Sequence, residues 1–249
     1  DFREDMDKIC LMSGELPKKE KEIAIDRMYA DNNNIEVGDT LTVAGKKLEV
    51  TGLVALSDYS ALFSSTSDMM FDAIKFGVGV MTEKGFDSIR DSHIHYSYSW
   101  IYDDKPKDKK EAKEKSEDFL EVLAENGILK NYIPEYSNQA IHFTGDDISG
   151  DKNMIAVFLY IVVVIIAFIF GITTNNTIVK ESCVIGTLRA SGYTKGELIR
   201  HYLTMPIFIT LLAAGVGNVL GYTTIKDIAA EMYYASYSLP TYVTLWNAD

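Results

Sequence analysis

Histidines and cysteines are the residues most able to bind a metal in this 249-residue chain. His93 and His95 are two positions apart and would share one face of a strand, but no third ligand lies near them. His142 and His201 are distant in the sequence, and no cysteine–histidine cluster has metal-ligand spacing. We therefore expect no metal site in this chain.

The segment Gly145–Lys152, GDDISGDK, is the nearest approach to a phosphate-binding P-loop, GxxxxGK[ST]. Asp151 stands where the pattern requires lysine, no serine or threonine follows, and the acidic side chains would repel phosphate. The acidic pairs Asp103–Asp104 and Asp146–Asp147 are more typical of solvated turns than of a cation site. No nucleophile is paired with a base, so we predict that the chain is not an enzyme.

Charge divides the chain into two unlike parts. Residues 1–152 carry 31 acidic and 19 basic side chains, whereas residues 153–249 carry five of each. An acidic front part argues against a nucleic-acid interface, which requires clustered positive charge.

Two uncharged apolar runs, Met154–Thr174 and Pro206–Ile225, dominate the back part. Each has about the 20 residues that a helix needs to cross a bilayer, and neither has the polar face of a soluble surface helix. We predict two spans in the lipid bilayer, at about 154–174 and 203–225. Three glycines give the second span a small-residue pattern that favours close helix packing. They are Gly215, Gly217 and Gly221.

Basic residues in short loops mark the cytoplasmic side of a membrane protein. The segment Lys180–Met205, which we call the hook, contains four basic residues, whereas the tail after the second span contains only Lys226. We therefore predict a cytoplasmic loop over residues 175–202 and an external tail over residues 226–249. Cys10 and Cys183 would then lie on opposite sides of the membrane and could not pair.

Residues 1–150 are predicted to form an external α+β domain, and 151–249 the membrane region. Because an external domain needs an export signal, we expect a further transmembrane helix upstream of Asp1. The periodicity predicts strands at Lys21–Asp26, Thr40–Ala44, Leu48–Leu56, Phe76–Met81, Ile94–Tyr102 and Ala140–Phe143. Helices are predicted within residues 1–20 and 116–127 and over 27–34 and 83–91, with Ala44–Lys47 as a hairpin turn.

The aromatic residues of the tail fit two interpretations. They suit a belt at the membrane interface, and they could equally cover the outer domain. They are Tyr233, Tyr234, Tyr237, Tyr242 and Trp246.

The hook is longer than a simple reversal of the chain requires. Ser182–Ser191 has helical spacing and is followed by Gly192, a helix stop. Thr194 and Glu197 have the spacing of a capping box in front of the second span. The short helix could rest on lipid headgroups, or it could bind a cytoplasmic partner.

Two stretches resemble a known family. IGTLRASGYTKGEL in the hook resembles the coupling-helix region of FtsX-like ABC transporter permeases, which include the MacB type and the lipoprotein-releasing permeases. GELPKKEKEIAIDRMYADNNNIEVGDTLTV resembles the external domain of the same family. The family fold is one transmembrane helix, an external domain and three more helices, so the chain looks like a fragment from the external domain through the third helix.

The resemblance implies a permease subunit that works as a dimer or paired halves, in the plasma membrane, with a separate ATPase subunit that binds ATP and magnesium. Movement of the membrane helices would act on peptides, lipids or lipoproteins outside, or on cell-wall enzymes, by export or by mechanotransmission. The expected ATPase-docking residues are Val184, Ile185, Gly186, Thr187, Leu188, Arg189, Ala190, Ser191, Gly192 and Tyr193. The alternative is a membrane-tethered sensor or binding protein without transport activity.

Overall fold

The computed structural model describes residues 6–65, 67–89 and 96–243. The chain divides into two compact units. The first comprises residues 1–147 together with 232–249, and the second comprises residues 148–231. Each unit is described by itself.

A mixed β-sheet forms the centre of the first unit. Its strands are β1 (Ile9–Gly14), β2 (Glu22–Asp26), β3 (Thr40–Val43), β4 (Lys46–Leu56) and β5 (Gly79–Val80). The order is β1-β4-β2-β5, and β3 pairs with the first part of β4. Strands β1 and β3 run antiparallel to β4, β2 runs parallel to it, and β5 runs antiparallel to β2.

Strand β4 is central because it pairs with β1, β2 and β3. Leu48, Val50 and Val54 are fully buried, two or four positions apart, as the period of a strand requires. All five residues of β2 are buried, since this strand lies between β4 and β5. The sheet thus supplies most of the apolar core of this unit.

The turn between β3 and β4 confirms the predicted hairpin. Ala44 and Gly45 have φ angles of 48° and 78°, which is the backbone that two-residue hairpin turns prefer. Helix α1 (Arg27–Asn33) follows β2 directly. The Asp26 side chain caps its start by accepting from the N–H of Tyr29 at 3.1 Å. The predicted strand and helix at 21–34 are therefore confirmed.

The predicted N-terminal helix is wrong where the structure describes it. Ile9–Gly14 is strand β1, because its apolar side can pair with the second half of β4. Gly14 has φ +74° and is paired with Gly52, and a Cβ on Gly14 would lie 2.3 Å from the Thr51 carbonyl oxygen. Only glycine fits this close approach of the two strands.

Two further strand predictions are wrong. Ala140–Phe143 lies in helix α4 (Gln139–Lys180), where residues 140, 143 and 144 come to one helical face. Tyr96–Tyr102 contains no strand, and the first two residues of that predicted strand lie outside the described residues. The strand predicted at Phe76–Met81 is confirmed only at Gly79–Val80. Short aromatic runs of this kind do not distinguish strand from other states.

Helix α2 (Glu83–Ser88) confirms the described part of the helix predicted at 83–91. The charged run enters helix α3 (Lys109–Asn126), which begins at the Asp108 cap and ends before Gly127. Trp100 stacks on Tyr132 with ring centroids 5.1 Å apart, and Phe119 of α3 lies against Trp100 at 5.2 Å. These rings fix α3 by its apolar side, and most of its lysines and glutamates are exposed, with Glu111 and Lys115 half-buried.

The second unit is helical. Helix α4 continues to Lys180, α5 covers Ser182–Ala190, and α6 covers Lys195–Leu220. A π-helical turn at Gly221–Ile225 leads into α7 (Lys226–Ser236). By length and composition, Gln139–Lys180 and Lys195–Ser236 are each long and apolar enough to cross a membrane, and their most apolar stretches contain no buried residue. These helices and the mixed sheet agree with the predicted combination of an α+β part and membrane helices.

Candidate functional site

The first part of the hook, helix α5, follows α4 with only Glu181 between them. The N–H of Glu181 donates to the Thr177 carbonyl at 2.9 Å, and the N–H of Ile185 donates to the Glu181 carbonyl at 2.9 Å. Glu181 has φ −94° and ψ 9°, which marks the junction between α4 and α5. The backbone therefore departs from helical dihedral angles at Glu181, while the hydrogen bonds on both sides of it are kept.

The end of α5 is closed by a Schellman motif. The N–H of Gly192 donates to the Arg189 carbonyl at 3.2 Å, and the N–H of Tyr193 donates to the Leu188 carbonyl at 3.1 Å. Gly192 has φ +99°, a conformation that glycine adopts without strain. The stop predicted at Gly192 is confirmed, and its cause is this left-handed turn.

The start of α6 is closed by the predicted capping box. The N–H of Glu197 donates to Thr194 Oγ1 at 3.3 Å, and the N–H of Thr194 donates to Glu197 Oε2 at 2.8 Å. The hydrogen bonds that the Glu197 carboxylate accepts, first from the Thr194 N–H and then from the Thr194 hydroxyl, lower the pKa of the Glu197 carboxyl. The residues between α5 and α6 are thus restrained from both ends.

A hydrogen bond not expected from the sequence joins the two helices of the hook. Tyr202 Oη donates to Glu181 Oε2 at 2.5 Å, across 21 residues. Glu181 directly precedes α5, and Tyr202 lies in the second turn of α6. The hydrogen bond therefore holds the start of α5 close to the start of α6. Helical periodicity could not have revealed the pair, since the two residues lie on different elements.

The predicted docking residues differ in exposure. Ile185 and Leu188 of α5 are half-buried. Val184 and Tyr193 are 57% and 51% exposed, and Arg189 is exposed as well. The small residues Gly186, Thr187, Ala190 and Ser191 are also exposed. The exposed surface of α5 therefore consists of small side chains in its centre and larger side chains, those of Val184, Arg189 and Tyr193, at its edges.

The glycines predicted to pack helices lie in α6 and at its end. An added Cβ at Gly215, Gly217 or Gly221 would meet no other atom within 4 Å among the described residues. Their role in packing therefore stays a prediction. Gly221 opens the π-helical turn at the end of α6.

Among the described residues, no group of three or more His, Cys, Asp or Glu side chains is placed to share a metal ion. The segment Gly145–Lys152 lies inside helix α4, so it does not form the loop that wraps a phosphate. Cys10 and Cys183 are free thiols.

Some of the tail aromatics pack within the first unit. Tyr237 is buried beside Phe71 and Phe143, and Tyr233 lies against the same cluster. The ring of Tyr234 lies under the Arg27 guanidinium at 5.4 Å. For these three tyrosines the structure favours packing on the first unit, whereas Trp246 lies outside the described residues.

The family described as FtsX-like permease C-terminal matches residues 156–249, which include the whole hook and the second span. Residues 156–249 are therefore similar to the C-terminal region of FtsX-like permeases. A Staphylococcus haemolyticus protein described as a hemin transport system permease protein, HrtB, is 26% identical over 235 residues. That alignment covers 92% of this chain and 57% of the relative, so the chain spans little more than half of that permease. No solved structure is significantly similar to the chain.

Proposed function

We propose that this chain is the membrane subunit of an ABC transporter and that its hook binds a separate ATPase subunit, which supplies the ATP and magnesium sites. Two features support the proposal. The family match covers the hook, and the hook lies between two candidate spans as a short helix followed by a turn that is closed on both sides. A loop that only reversed the chain would need none of this closure.

The docking surface that we propose is the exposed side of α5. Gly186 and Ala190 would allow the backbone of a partner to approach closely, while Val184 and Tyr193 add apolar area that is exposed in this chain. Arg189 can donate to a carboxylate of the partner through its planar guanidinium. Ile185 and Leu188 are half-buried, so they would act chiefly by holding α5 in place within this chain and not by contacting the partner.

The location follows from the same proposal. The hook would face the cytoplasm, where ATP is available, and the first unit would lie outside the plasma membrane. Paired permease copies would flank the transport path, with the glycines of the second span at a helix contact. Movement of the membrane helices would then reach the outer unit by mechanotransmission.

Binding of the ATPase can be tested with charge-changing variants of the hook. We expect Val184→Asp and Arg189→Glu to reduce co-purification of the ATPase subunit from detergent extracts by about tenfold or more, as for central interface residues. Lys195→Glu is the matched control, because it changes an exposed charge in the hook outside the docking surface. Undiminished co-purification in both variants would refute the docking surface.

The same experiment separates the transporter from a membrane-tethered sensor. A sensor would not require an ATPase at the hook, so it would show no nucleotide-dependent complex in any variant. Labelling of Cys183 by an impermeant maleimide in intact cells would contradict the cytoplasmic placement, whereas protection there and labelling after lysis would agree with it.

Hemin is the first substrate to test, because the relative is described as a hemin transport system permease. We expect cells that express this chain with its ATPase to accumulate less hemin, and Arg189→Glu to abolish that difference. The same variant with normal hemin efflux would contradict the coupling through the hook. Equal accumulation with and without the wild-type pair would direct the search to peptide or lipid substrates.

A further inference from the structure

Arg27 lies where helix α7 ends. One of its terminal nitrogens, Nη2, donates to the carbonyls of Tyr234 and Tyr237, each at 2.8 Å. Its other terminal nitrogen, Nη1, donates to Asp31 at 2.7 Å, and the side chain is only 16% exposed. The last carbonyls of a helix lack partners within it, and a cation is favourable there. Arg27, from the opposite end of the sequence, supplies both the hydrogen-bond donors and the positive charge.

Asp26, the neighbouring residue, binds the next part of the same segment. Its carboxylate accepts from the Ser238 hydroxyl as well as from the Tyr29 N–H, and both Asp26 and Ser238 are fully buried. Burial raises the pKa of the Asp26 carboxyl, although the Ser238 hydrogen bond opposes this effect. The N–H of Ser238 donates to the Ser60 carbonyl at 2.9 Å.

The start of α4 meets the same place. Ser60 Oγ donates to the Ala140 carbonyl at 3.0 Å, and it lies 3.1 Å from Thr144 Oγ1. Phe63, Phe143 and Tyr237 form an aromatic cluster with Phe71, in which Phe63 and Phe143 have ring centroids 5.4 Å apart. Tyr237 Oη also donates to Asp147 at 2.8 Å. Residues before the first span and after the second span are thus joined through one site on the outer unit.

We propose that Asp26 and Arg27 are positioning residues that keep residues 232–241 fixed to the sheet of the outer unit throughout the transport cycle. Separation would leave a buried carboxylate, a mostly buried guanidinium and two helix-end carbonyls without these partners, and it would expose the aromatic cluster. Each of these changes costs free energy. Because Asp26 ends β2 and caps α1, any movement of residues 232–241 would move the sheet with them. The part of this proposal that concerns the cycle rests on the proposed function.

A disulfide can report whether the segment stays in place. Thr241 Oγ1 lies 3.8 Å from Cys10 Sγ, so Thr241→Cys puts two thiols near each other, and small rotations would bring the sulfurs to bonding distance. Cys183→Ser removes the other thiol of this sequence. We would treat the permease in nanodiscs with diamide, which oxidises the two thiols and takes up their hydrogens, and measure the rate of cross-linking on non-reducing gels.

We expect rapid cross-linking in this background and about a tenfold slower rate with Arg27→Met, since two charged hydrogen bonds are lost. Asp31→Asn is the control, because it removes only the exposed partner of Arg27 and should leave the rate within about twofold. Arg27→Lys should restore part of the rate, because an ammonium can still donate to a helix-end carbonyl. Equal rates in all variants would overturn the role of Arg27. If Arg27→Met does not fold, Ser238→Ala removes the hydrogen bond to Asp26 instead and tests the attachment of the same segment; an unchanged rate there would overturn the role of Asp26.

The second arm adds the ATPase, ATP and vanadate. We expect an unchanged cross-linking rate, and we expect the cross-linked complex to retain its ATP-driven activity. A rate that falls about tenfold with nucleotide, or an activity lost on cross-linking and regained on reduction, would show that the segment detaches, and would overturn the proposal. If no ATPase binds at all, the proposed function fails while the nucleotide-free rates still decide the role of Arg27.

Discussion

Replacement of Gly192 by alanine tests the closure of the hook most directly. Gly192 has φ +99°, and its N–H and the next N–H make the two Schellman hydrogen bonds that end α5. An added Cβ would meet no neighbour within 4 Å, so the substitution has no steric clash to confuse its effect. Only the conformational cost of a left-handed alanine remains.

That cost sets the expected magnitude. A left-handed backbone costs an alanine about 1–2 kcal/mol relative to glycine. The ratio of open to closed turns should therefore rise about 5- to 30-fold. Because the amides of Gly192 and Tyr193 are protected by the turn itself, their hydrogen exchange should accelerate by the same factor.

Gly186→Ala is the matched control, since it makes the same chemical change four residues before the end of α5. Gly186 has an ordinary helical backbone and also has open space around its Cβ position. Alanine stabilises a helix interior by about 0.5–1 kcal/mol relative to glycine. The exchange of α5 amides should therefore slow in this variant, and mass spectrometry of the permease in nanodiscs would measure both effects.

The reasoning fails if the two variants behave alike. Exchange at Gly192 and Tyr193 that is unchanged or slower in Gly192→Ala would mean that the left-handed turn does not close α5. Asn at position 192 offers a graded test, because asparagine tolerates this conformation better than alanine. Its exchange rate should lie between those of the glycine and the alanine proteins.

Two further predictions concern the first unit. Hydrogen bonds, first that from the Lys18 N–H, lower the pKa of Glu22 to about 2. The stabilisation they give is complete above the ordinary value of about 4.5 and disappears as the pH falls toward 2. Glu22→Gln should therefore flatten the loss of stability in acid, and Glu20→Gln should leave it unchanged; identical acid-unfolding curves for all three proteins would contradict this. Leu48→Ala should lower the free energy of unfolding by about 2–5 kcal/mol, because Leu48 is buried in the central strand. Val37→Ala, at a position 42% exposed, should change it by less than about 0.5 kcal/mol, and urea titration that ranks the two in the opposite order would refute the assignment of the core.

Local sequence patterns were sufficient to predict the hairpin and the ends of the hook helices. The β3–β4 hairpin was predicted because an alternating pattern and a turn residue lie within a few positions of each other. The capping box at Thr194 and the stop at Gly192 were predicted for the same reason. Strand β1 was not, since its partner lies some 40 residues away, and a short apolar run alone fits a helix equally well.

Ala140–Phe143 illustrates the opposite failure. Its residues favour a strand locally, but Ala140 and Phe143 pack against the Ser60–Phe63 region as one face of α4. Burial of that face outweighs the weak local preference for a strand, as tertiary contacts generally do. The sequence also could not predict that Val184 is exposed and Leu188 half-buried, because both side chains are apolar and either would fit a core position.

The sequence by itself determined the two apolar helices, the acidic front part and the closure of the hook. All three depend on composition or on hydrogen bonds between residues at most a few positions apart. Only the tertiary structure decided that Arg27 and Asp26 meet Tyr234, Tyr237 and Ser238, more than 200 residues away. Such pairs arise when the sheet and the helix ends bury common surface, and no local pattern specifies them. The hook is therefore evident in the order of the residues, whereas the contacts that join the sheet of the first unit to the segment after the second candidate span exist only in the folded chain.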